Sequence, residues 1–237
     1  MRNTTEEIIN EINTYRDESK AAFLPRFFKT GKGEYGEGDQ FIGVVVPNLR
    51  IVAKKHFDAD FDTLRELLAS PYHEYRLTAL LALTYRYAKL KDHTSRETCV
   101  NFYVSQVDAI NNWDLVDLSC YKILGHWLFD KDKQLLYDWA KENHLWKQRI
   151  AMISCMHFVK QGEFKDALAI ADLLQHHPHD LIHKAVGWIL REIGKEDEQL
   201  LVDYLTPRYK EMPRTMLRYA IERFEEEKRK AFLNSTI

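Results

Sequence analysis

The sequence predicts an all-α protein, and three observations carry this prediction. Apolar residues recur at spacings of three and four along nearly the whole chain of 237 residues, which is the period of an amphipathic helix. Breaker residues such as Ser70 and Pro71 separate one apolar stripe from the next. Strand-like and helix-like patterns do not alternate along the chain, so a parallel sheet built from such units is not expected.

The helical stripes fall into consecutive pairs. In the first pair, one stripe contains Leu64, Leu67 and Leu68, and the stripe after the break runs from Leu77 to Tyr85. Similar pairs are predicted at 94–109 with 113–128, 132–142 with 145–160, 163–175 with 180–193, and 197–206 with 213–232.

The two ends of the chain are less regular than the middle. Residues 1–58 show no clear pairing, and within them FIGVVVPNLR (41–50) is the stretch that most resembles a strand. Pro47 makes it a poor strand, so we expect an apolar lead-in to a helix that starts near Pro47. Residues 222–237 are expected to form a charged, solvated tail. No linker rich in Pro, Gly or Ser interrupts the repeats, so one domain over 1–237 is the simplest partition.

The helix pairs repeat with a nearly constant period. Near the start of the second helix in successive pairs lie Arg76, Trp113, Arg149 and Lys184, at separations of 37, 36 and 35 residues. Two-helix repeats of this length indicate an α-solenoid of the HEAT or armadillo kind, in which equivalent positions line one wall, commonly the concave one. The expected groove therefore gathers Arg76, Trp113, Asp117, Arg149, Lys184, Trp188 and Arg191.

Composition and charge narrow the class of protein. With 34 Lys+Arg against 36 Asp+Glu the net charge is −2, so a nucleic-acid partner would need a local basic patch. No segment reaches the ~18 apolar residues of a membrane span, and the polar N-terminal region does not resemble a signal peptide. Cys99, Cys120 and Cys155 lie far apart in apolar stretches, which favours buried thiols over disulfides or a zinc site. We expect a cytoplasmic monomer.

Two further motifs resemble ligand sites. GKGEYGEG (31–38) contains the glycine spacing of a dinucleotide fingerprint, but the segment before it is helix-like and the polar EGDQ follows it, so a connector is favoured. HHPHDLIH (176–183) is rich in histidine, but Pro178 breaks it and no further ligands accompany the histidines. A loop capped by Asp180 is favoured there. Neither a metal nor a cofactor is expected.

The stretch NNWDLVD (111–117) points to chemistry. Trp113 and Asp117 are four residues apart and therefore share one helix face. Cations one repeat apart suit the regular charges of DNA, but a carboxylate among them repels phosphate. Breaking an N-glycosidic bond builds positive charge on the sugar, which a carboxylate and electron-rich indoles can stabilise. The alternative is that Asp117 pairs with Arg149 in a structural ion pair.

The stretch GWILRE (187–192) forms a similar cluster. Trp188 and Arg191 are three residues apart and lie one turn from each other on one helix face. Gly187 costs about 1 kcal/mol of helix propensity, which close helix packing or backbone approach to a ligand would explain.

At these residues the sequence resembles the AlkD family of DNA alkylation repair glycosylases, which consist of HEAT-like repeats. The resemblance covers roughly residues 20–220 and implies excision of cationic N3- or N7-alkylated purines, such as 3-methyladenine and 7-methylguanine, from duplex DNA. It implies no metal, no cofactor and no flipping of the lesion into a pocket. The segments that carry it are FIGVVVPNLRIVAKK (41–55), NNWDLVD (111–117), WKQRIAM (146–152) and KAVGWILRE (184–192).

The resemblance also implies residue roles. Asp117 would be the catalytic carboxylate, which stabilises the sugar cation and positions water. Trp113 and Trp188 resemble the flanking indoles of the family, and Arg149 and Arg191 resemble its arginines that grip the DNA backbone. Lys184 and Arg76 are the other cations expected to contact DNA.

Two departures from the family pattern concern the N-terminal part. Phe27 stands where related enzymes can present a tyrosine near the lesion, and the loop GKGEYGEGDQ (31–40) is longer than the connection in some members. Both features leave the lesion preference open. Two other classes also stay open, a non-catalytic protein that binds DNA structure and a solenoid that binds proteins.

Overall fold

The computed structural model describes residues 4–237 of the chain. Within these residues, the regular structure is helical apart from one isolated β-bridge between Gln40 and Tyr72. The predicted all-α class is therefore confirmed. The chain forms two compact units, unit 1 ending at Ile123 and unit 2 beginning at Leu124. The expectation of a single domain over 1–237 stays a prediction.

Unit 1 contains the first predicted helix pair and the helices before and after it in the sequence. Most begin at a side chain that accepts a hydrogen bond from the first turn, as Asp17, Asp60 and Asp92 do for α2, α4 and α6. The helices are α1 (Thr5–Asn13), α2 (Glu18–Phe27), α3 (Val46–Lys55), α4 (Phe61–Leu68), α5 (His73–Lys89), α6 (His93–Ser105) and α7 (Trp113–Asp117).

The apolar stretch at 41–50 behaves as the sequence predicts. Residues 41–45 have no regular structure, and α3 begins at Val46 with Pro47 in its first turn. Proline is suited to this place because the first N–H groups of a helix have no intrahelical acceptor.

The predicted helix at 113–128 is broken into short pieces. The helix α7 ends at Asp117, and a π-helical turn follows at Tyr121–Gly125. At the break, the hydroxyl of Ser119 donates to the carbonyl of Leu115. Such a bond competes with the regular helical ladder and bends the chain.

Unit 2 consists of more regular helix pairs. The helix α10 packs on α9 and α12 packs on α11, which confirms the pairs predicted at 132–142 with 145–160 and at 163–175 with 180–193. The pair predicted at 197–206 with 213–232 differs, because α13 and α14 each pack on α12 and the second stretch is divided into α14 and α15. The helices of unit 2 are α8 (His126–Leu128), α9 (Gln134–Lys141), α10 (Leu145–Val159), α11 (Lys165–Leu174), α12 (Asp180–Glu196), α13 (Glu198–Leu205), α14 (Arg214–Ala220) and α15 (Glu226–Asn234).

The C-terminal segment differs from the solvated tail expected at 222–237. It contains the helix α15, and Phe232 in this helix is completely buried. The Phe232 ring contacts those of Tyr209 and Phe224, with centroids 5.3 and 5.6 Å away. Two phenylalanines among many charges are therefore enough to attach the segment to unit 2, because burying each removes a large apolar area from water.

The core of each unit contains one long helix that is buried nearly all round, α5 in unit 1 and α10 in unit 2. Helices without a polar face belong in the middle of a packed layer. Cys99, Cys120 and Cys155 are buried, as the sequence predicts, and within residues 4–237 all three are free cysteines. In the same residues, no helix has the length and apolar character needed to cross a membrane.

Candidate active site

Trp113 and Asp117 line one pocket of unit 1. The pocket has a volume of about 400 Å³, and its wall is mostly apolar. Side chains of α2, α3, α5 and α7 and of the extended segment 41–45 form this wall. Trp113 and Asp117 are both partly buried. A charge on such a wall acts more strongly than it would in water, because little solvent screens it.

The start of α7 is fixed by Asn112, which is completely buried. Its side-chain oxygen accepts a hydrogen bond from the backbone N–H of Trp113 at 2.9 Å, and its amide nitrogen donates to the carbonyl of Phe28 at 3.5 Å. Gly36 lies against both groups, since a Cβ there would be 2.8 Å from the Phe28 oxygen and 3.0 Å from the Asn112 amide nitrogen. Gly36 thus attaches the Gly-rich connector, most of which is exposed, to the start of α7.

The Trp113 ring is held by aromatic contacts. It stacks on Phe28 with the ring centroids 5.4 Å apart, and it meets the edge of Phe27 at 5.9 Å. Phe28 is buried, whereas Phe27, the residue expected to approach the lesion strand, is 50% exposed. The indole therefore has one face against the protein core and an edge near a solvent-exposed phenylalanine.

Beneath the pocket lies a buried imidazole between two carboxylates. His73 Nδ1 is 3.2 Å from Asp39 Oδ2, and Nε2 is 2.8 Å from Asp114 Oδ2. Burial by itself lowers the pKa of His73, but the charge of Asp114 and the hydrogen bonds of both carboxylates outweigh it and raise the pKa to about 9. His73 is therefore an imidazolium at neutral pH.

Arg76, expected to contact DNA, is only 5% exposed. Its guanidinium donates to the Ser70 carbonyl at 2.7 Å and to Asn111 at 3.1 Å, and it lies 2.6 Å from Asp39. Although burial raises the pKa of Asp39, its hydrogen bond with His73 and the charge of Arg76 lower it below the usual value. The charge of Arg76 is therefore compensated inside unit 1, and its contact with DNA stays a prediction.

A third buried carboxylate, Glu74, holds the extended segment. It accepts hydrogen bonds from the backbone N–H groups of Ile42, Gly43 and Val44 at 2.8 to 3.3 Å. Residues without a helix or sheet need such acceptors when they are buried. Glu74 thus fixes the part of the pocket wall that the extended segment 41–45 forms.

The predicted site residues of unit 2 lie on α10 and α12. Arg149 is 4% exposed and donates to the carbonyl of Leu181. Lys184 is half-exposed and forms an ion pair with Asp180 at 2.7 Å. Trp188 is partly buried. The Arg191 side chain is 19% exposed and pairs with Glu222 and, at 3.5 Å, with Glu192. Arg149 is therefore the most deeply buried of these four residues.

Close packing accounts for Gly187. A Cβ at this position would lie 2.5 Å from both the Met216 carbonyl oxygen and the Tyr219 Cβ. These are residues of α14, so the cost of glycine in α12 is offset by close approach of the two helices. Of the two explanations that the sequence left open, helix packing is the one that the structure supports.

The histidine-rich stretch caps α12, but the capping residue differs from the one expected. His179, rather than Asp180, is the N-cap, and its Nδ1 accepts from the Leu181 N–H at 3.1 Å. Asp180 is already inside the first turn, where it pairs with Lys184. His177 bonds to Gln148 at 3.0 Å. In residues 4–237, no group of three or more His, Cys, Asp or Glu side chains is arranged so that it could hold a metal ion.

Sequence reasoning missed the polar groups around the pocket. Asp39, His73 and Glu74 do not belong to a recognisable sequence motif, and they contact their partners only in the folded chain. One signal was present, because His73 and Glu74 open the same helix as Arg76, which the repeat period singled out. Charged residues at the start of a helix that is otherwise apolar are candidates for such a buried network.

The chain is similar in sequence to one family and in fold to several solved structures, of which two are given below. The profile of the family described as DNA alkylation repair enzyme matches residues 8–224. Among curated proteins, none matches this sequence.

One of the two structures is a predicted DNA alkylation repair enzyme from Enterococcus faecalis, with 14% identity and a TM-score of 0.68 over 89% of this chain and 97% of that chain. The other is AlkD2 from Streptococcus mutans, with 15% identity and a TM-score of 0.55 over 88% of this chain and 99% of that chain. These two likenesses confirm the helical-repeat fold. Since the family profile covers most of the sequence, this protein belongs to the DNA alkylation repair enzyme family.

Proposed function

We propose that this protein is a monofunctional DNA glycosylase that hydrolyses the N-glycosidic bond of cationic N3- and N7-alkylated purines in duplex DNA. The observation that carries the proposal is the pairing of Asp117 with Trp113 on the wall of one largely apolar pocket. The expected substrates are 3-methyladenine and 7-methylguanine nucleotides. The lesion is expected to be processed without being flipped into a pocket, and no metal or cofactor takes part.

The choice of Asp117 rests on the state of the carboxylates around the pocket. Glu74, Asp114 and Asp117 are the carboxylates that line it in the described part of the chain, and of these only Asp117 is not fully buried. Glu74 accepts three backbone N–H groups, and Asp114 accepts from His73. Because part of its surface is exposed, Asp117 is the carboxylate of the three best suited to face a substrate.

The proposed chemistry requires little acid assistance. An alkylated purine is already cationic, so the electron pair of the breaking C1′–N bond neutralises the base as it leaves. The sugar becomes positively charged at that moment, and the carboxylate of Asp117 stabilises it. A water molecule then bonds to C1′ and releases a proton to solvent. The product is an intact abasic site and a neutral base, with no cut in the strand.

The remaining predicted residues are proposed to bind and orient the DNA. Trp113 would present its indole face to the sugar, since such faces attract positive charge. Trp188 is the second indole for which we propose a role in the reaction. Lys184 and Arg191 would contact phosphates, and Phe27 would approach the lesion strand. For Arg149 and Arg76 we keep the proposal of a DNA contact, although both guanidinium groups also have partners inside their own unit.

The test is Asp117→Asn, which keeps the size of the side chain and deletes its charge. Release of 3-methyladenine and 7-methylguanine from methylated duplex DNA is measured by chromatography, beside the melting temperature. We expect the rate to fall by ~100-fold or more, the scale on which preorganised electrostatic groups act. DNA affinity and melting temperature should be retained. The matched control is Asp62→Asn, because the Asp62 side chain is 86% exposed on α4 and its loss should leave the rate unchanged.

Other outcomes point to the other classes of protein. A structural ion pair of Asp117 with Arg149 predicts a lower melting temperature and unchanged excision per folded molecule. If the protein binds DNA structure without catalysis, we expect salt-dependent DNA binding and no base release by the unmodified protein. A protein-binding solenoid predicts neither activity nor salt-dependent DNA binding.

A further inference from the structure

His73 occupies a position that requires two hydrogen-bond donors. Only 2% of the residue is exposed, and each ring nitrogen faces a different carboxylate, Asp39 from the loop before α3 and Asp114 from α7. A neutral imidazole has one N–H group and one acceptor nitrogen, whereas the imidazolium has two N–H groups. Both contacts are therefore satisfied only when the ring carries its second proton.

The ring is connected to Trp113 by two independent routes. Its contact with Asp114 holds the residue that follows Trp113 in the first turn of α7. Through Phe28 it reaches the indole itself, because the Phe28 ring lies 4.7 Å from the His73 ring and 5.4 Å from the Trp113 ring. The Phe41 ring stacks on Phe28 at 5.2 Å and lies 5.0 Å from the imidazole, so the two phenyl rings pack on the same side of His73. A change in His73 is thus transmitted to both the backbone and the side chain of Trp113.

His73 itself cannot reach a substrate proton. Although it borders the pocket, both nitrogens are engaged by carboxylates, and Phe28 and Phe41 pack against the ring, which is 2% exposed. The charged groups that face it are Asp39, Asp114 and, on its own helix, Arg76. Two cations and two anions balance one another in this network. Loss of the imidazolium proton would leave a net negative charge buried beneath the pocket, which is costly.

We propose that His73, as an imidazolium clamped between Asp39 and Asp114, is a positioning residue that fixes the first turn of α7 and the Trp113 ring against the sugar. This inference rests on the proposed glycosylase function for its effect on rate. Its structural part, control of Trp113 by the protonation of His73, applies to the protein without DNA.

The pH range of the effect follows from the raised pKa of His73, about 9, against an unfolded value of 6.5. The stabilisation of the folded state by this proton is complete below the unfolded value and is lost as the pH rises through the folded value. The imidazolium, and with it the clamp, therefore persists in the folded protein at neutral pH and is lost around pH 9.

The test combines an NMR titration with kinetics. The chain has five tryptophans, and the indole N–H resonance of Trp113 is assigned by its absence in Trp113→Phe. We expect this resonance to shift with a midpoint near pH 9, and we expect single-turnover release of 3-methyladenine to decline over the same range. In His73→Gln, which cannot titrate, the resonance should not respond to pH in this range. Its rate at pH 7 should be lower by ~10-fold or more through misplacement of the indole, and the alkaline decline should be absent.

Control variants separate the clamp from general stability. His56→Gln removes another buried histidine of unit 1, which contacts Glu11, and should leave the Trp113 resonance and the rate profile unchanged. If His73→Gln does not fold, Asp39→Asn serves instead. It removes one negative partner and should move the midpoint of the Trp113 titration to lower pH.

Each outcome decides one of the two proposals. A Trp113 resonance that does not change with pH in the unmodified protein, or a His73→Gln variant with the unmodified rate and pH profile, would overturn the clamp. Absence of base release by the unmodified protein would overturn the glycosylase function. In that case the NMR titration alone would still decide whether His73 controls Trp113.

Discussion

The two units of this protein position their candidate residues by different means. In unit 1, the surroundings of Trp113 are held by buried polar contacts between distant parts of the chain, such as His73 with Asp39 and Asp114. In unit 2, Trp188 lies on a long, regular helix that is positioned by close packing, with Gly187 against α14. One unit therefore depends on electrostatic compensation, and the other depends on shape.

This difference indicates which substitutions each unit tolerates. A buried polar network fails when one partner is removed, because the groups left behind lose their hydrogen bonds in a site that water does not reach. A closely packed helix pair fails when volume is added, because interiors are as dense as crystals. The following predictions apply each perturbation to the unit where it should act.

The largest effect on stability is expected for Glu74→Ala in unit 1. The variant removes the acceptor of three backbone N–H groups, and hydrogen bonds to charged groups contribute about 1.5–3 kcal/mol each. We expect the free energy of unfolding to fall by at least about 3 kcal/mol in urea denaturation. Hydrogen exchange should show loss of protection at Ile42, Gly43 and Val44. Protection in α10 should be retained.

The control for this prediction is Glu74→Gln. The amide keeps one acceptor oxygen without the charge, so it should lose less stability than Ala does. Equal stability of Glu74→Ala and the unmodified protein would show that the segment 41–45 is held by apolar burial instead. Equal loss of protection in both units would contradict a role of Glu74 limited to unit 1.

An intermediate effect is expected for Gly187→Ala in unit 2. The added methyl group would lie 2.5 Å from the Met216 carbonyl oxygen and the Tyr219 Cβ, so α12 and α14 must move apart. Overpacking of this kind costs about 1–3 kcal/mol, against which the better helix propensity of alanine recovers at most about 1. The melting temperature should therefore fall.

Gly194 in the same helix provides a matched control. A Cβ there would meet the end of the Leu201 side chain at 2.4 Å, and a flexible side chain can move aside. Gly194→Ala should therefore be close to neutral or stabilising. If both variants had the same melting temperature, close approach of α12 and α14 would not be the reason for Gly187.

The same difference explains how far the sequence could be interpreted. The period of apolar residues predicted the all-α class and two of the helix pairs of unit 2, because local amphipathicity is set by neighbours three and four residues away. It also placed Arg76 in a DNA-binding groove, which stays a prediction, but it did not identify the ion pair with Asp39, since periodicity gives a position in the repeat and not its partner. The ion pair with Asp39 depends on a contact 37 residues away in the chain, which a repeat of helices does not encode.

The C-terminal segment shows a second limit. Its charges dominate any average over 222–237, and they predicted a solvated tail. Two buried phenylalanines, Phe224 and Phe232, nevertheless attach it to unit 2. This attachment also brings Glu222 to Arg191. A segment interpreted as passive thus supplies the partner of a residue that was expected to bind DNA.

The smallest effect is expected for the ion pair of Arg191 with Glu222, and the quantity it changes is the affinity for DNA. Arg191 interacts with Glu222 and Glu192, so its charge is partly compensated before any phosphate approaches. Glu222→Gln should release the guanidinium, tighten binding to duplex DNA and steepen the dependence of log affinity on log salt by about 0.9, the value for one added phosphate contact. Arg191→Ala should weaken binding and flatten the dependence by a similar amount. Glu227→Gln is the control, because it makes the same change of net charge at an exposed position of α15. If Glu222→Gln and Glu227→Gln shift the salt dependence equally, the effect comes from overall charge, and Arg191 is a structural residue of unit 2 rather than a DNA contact.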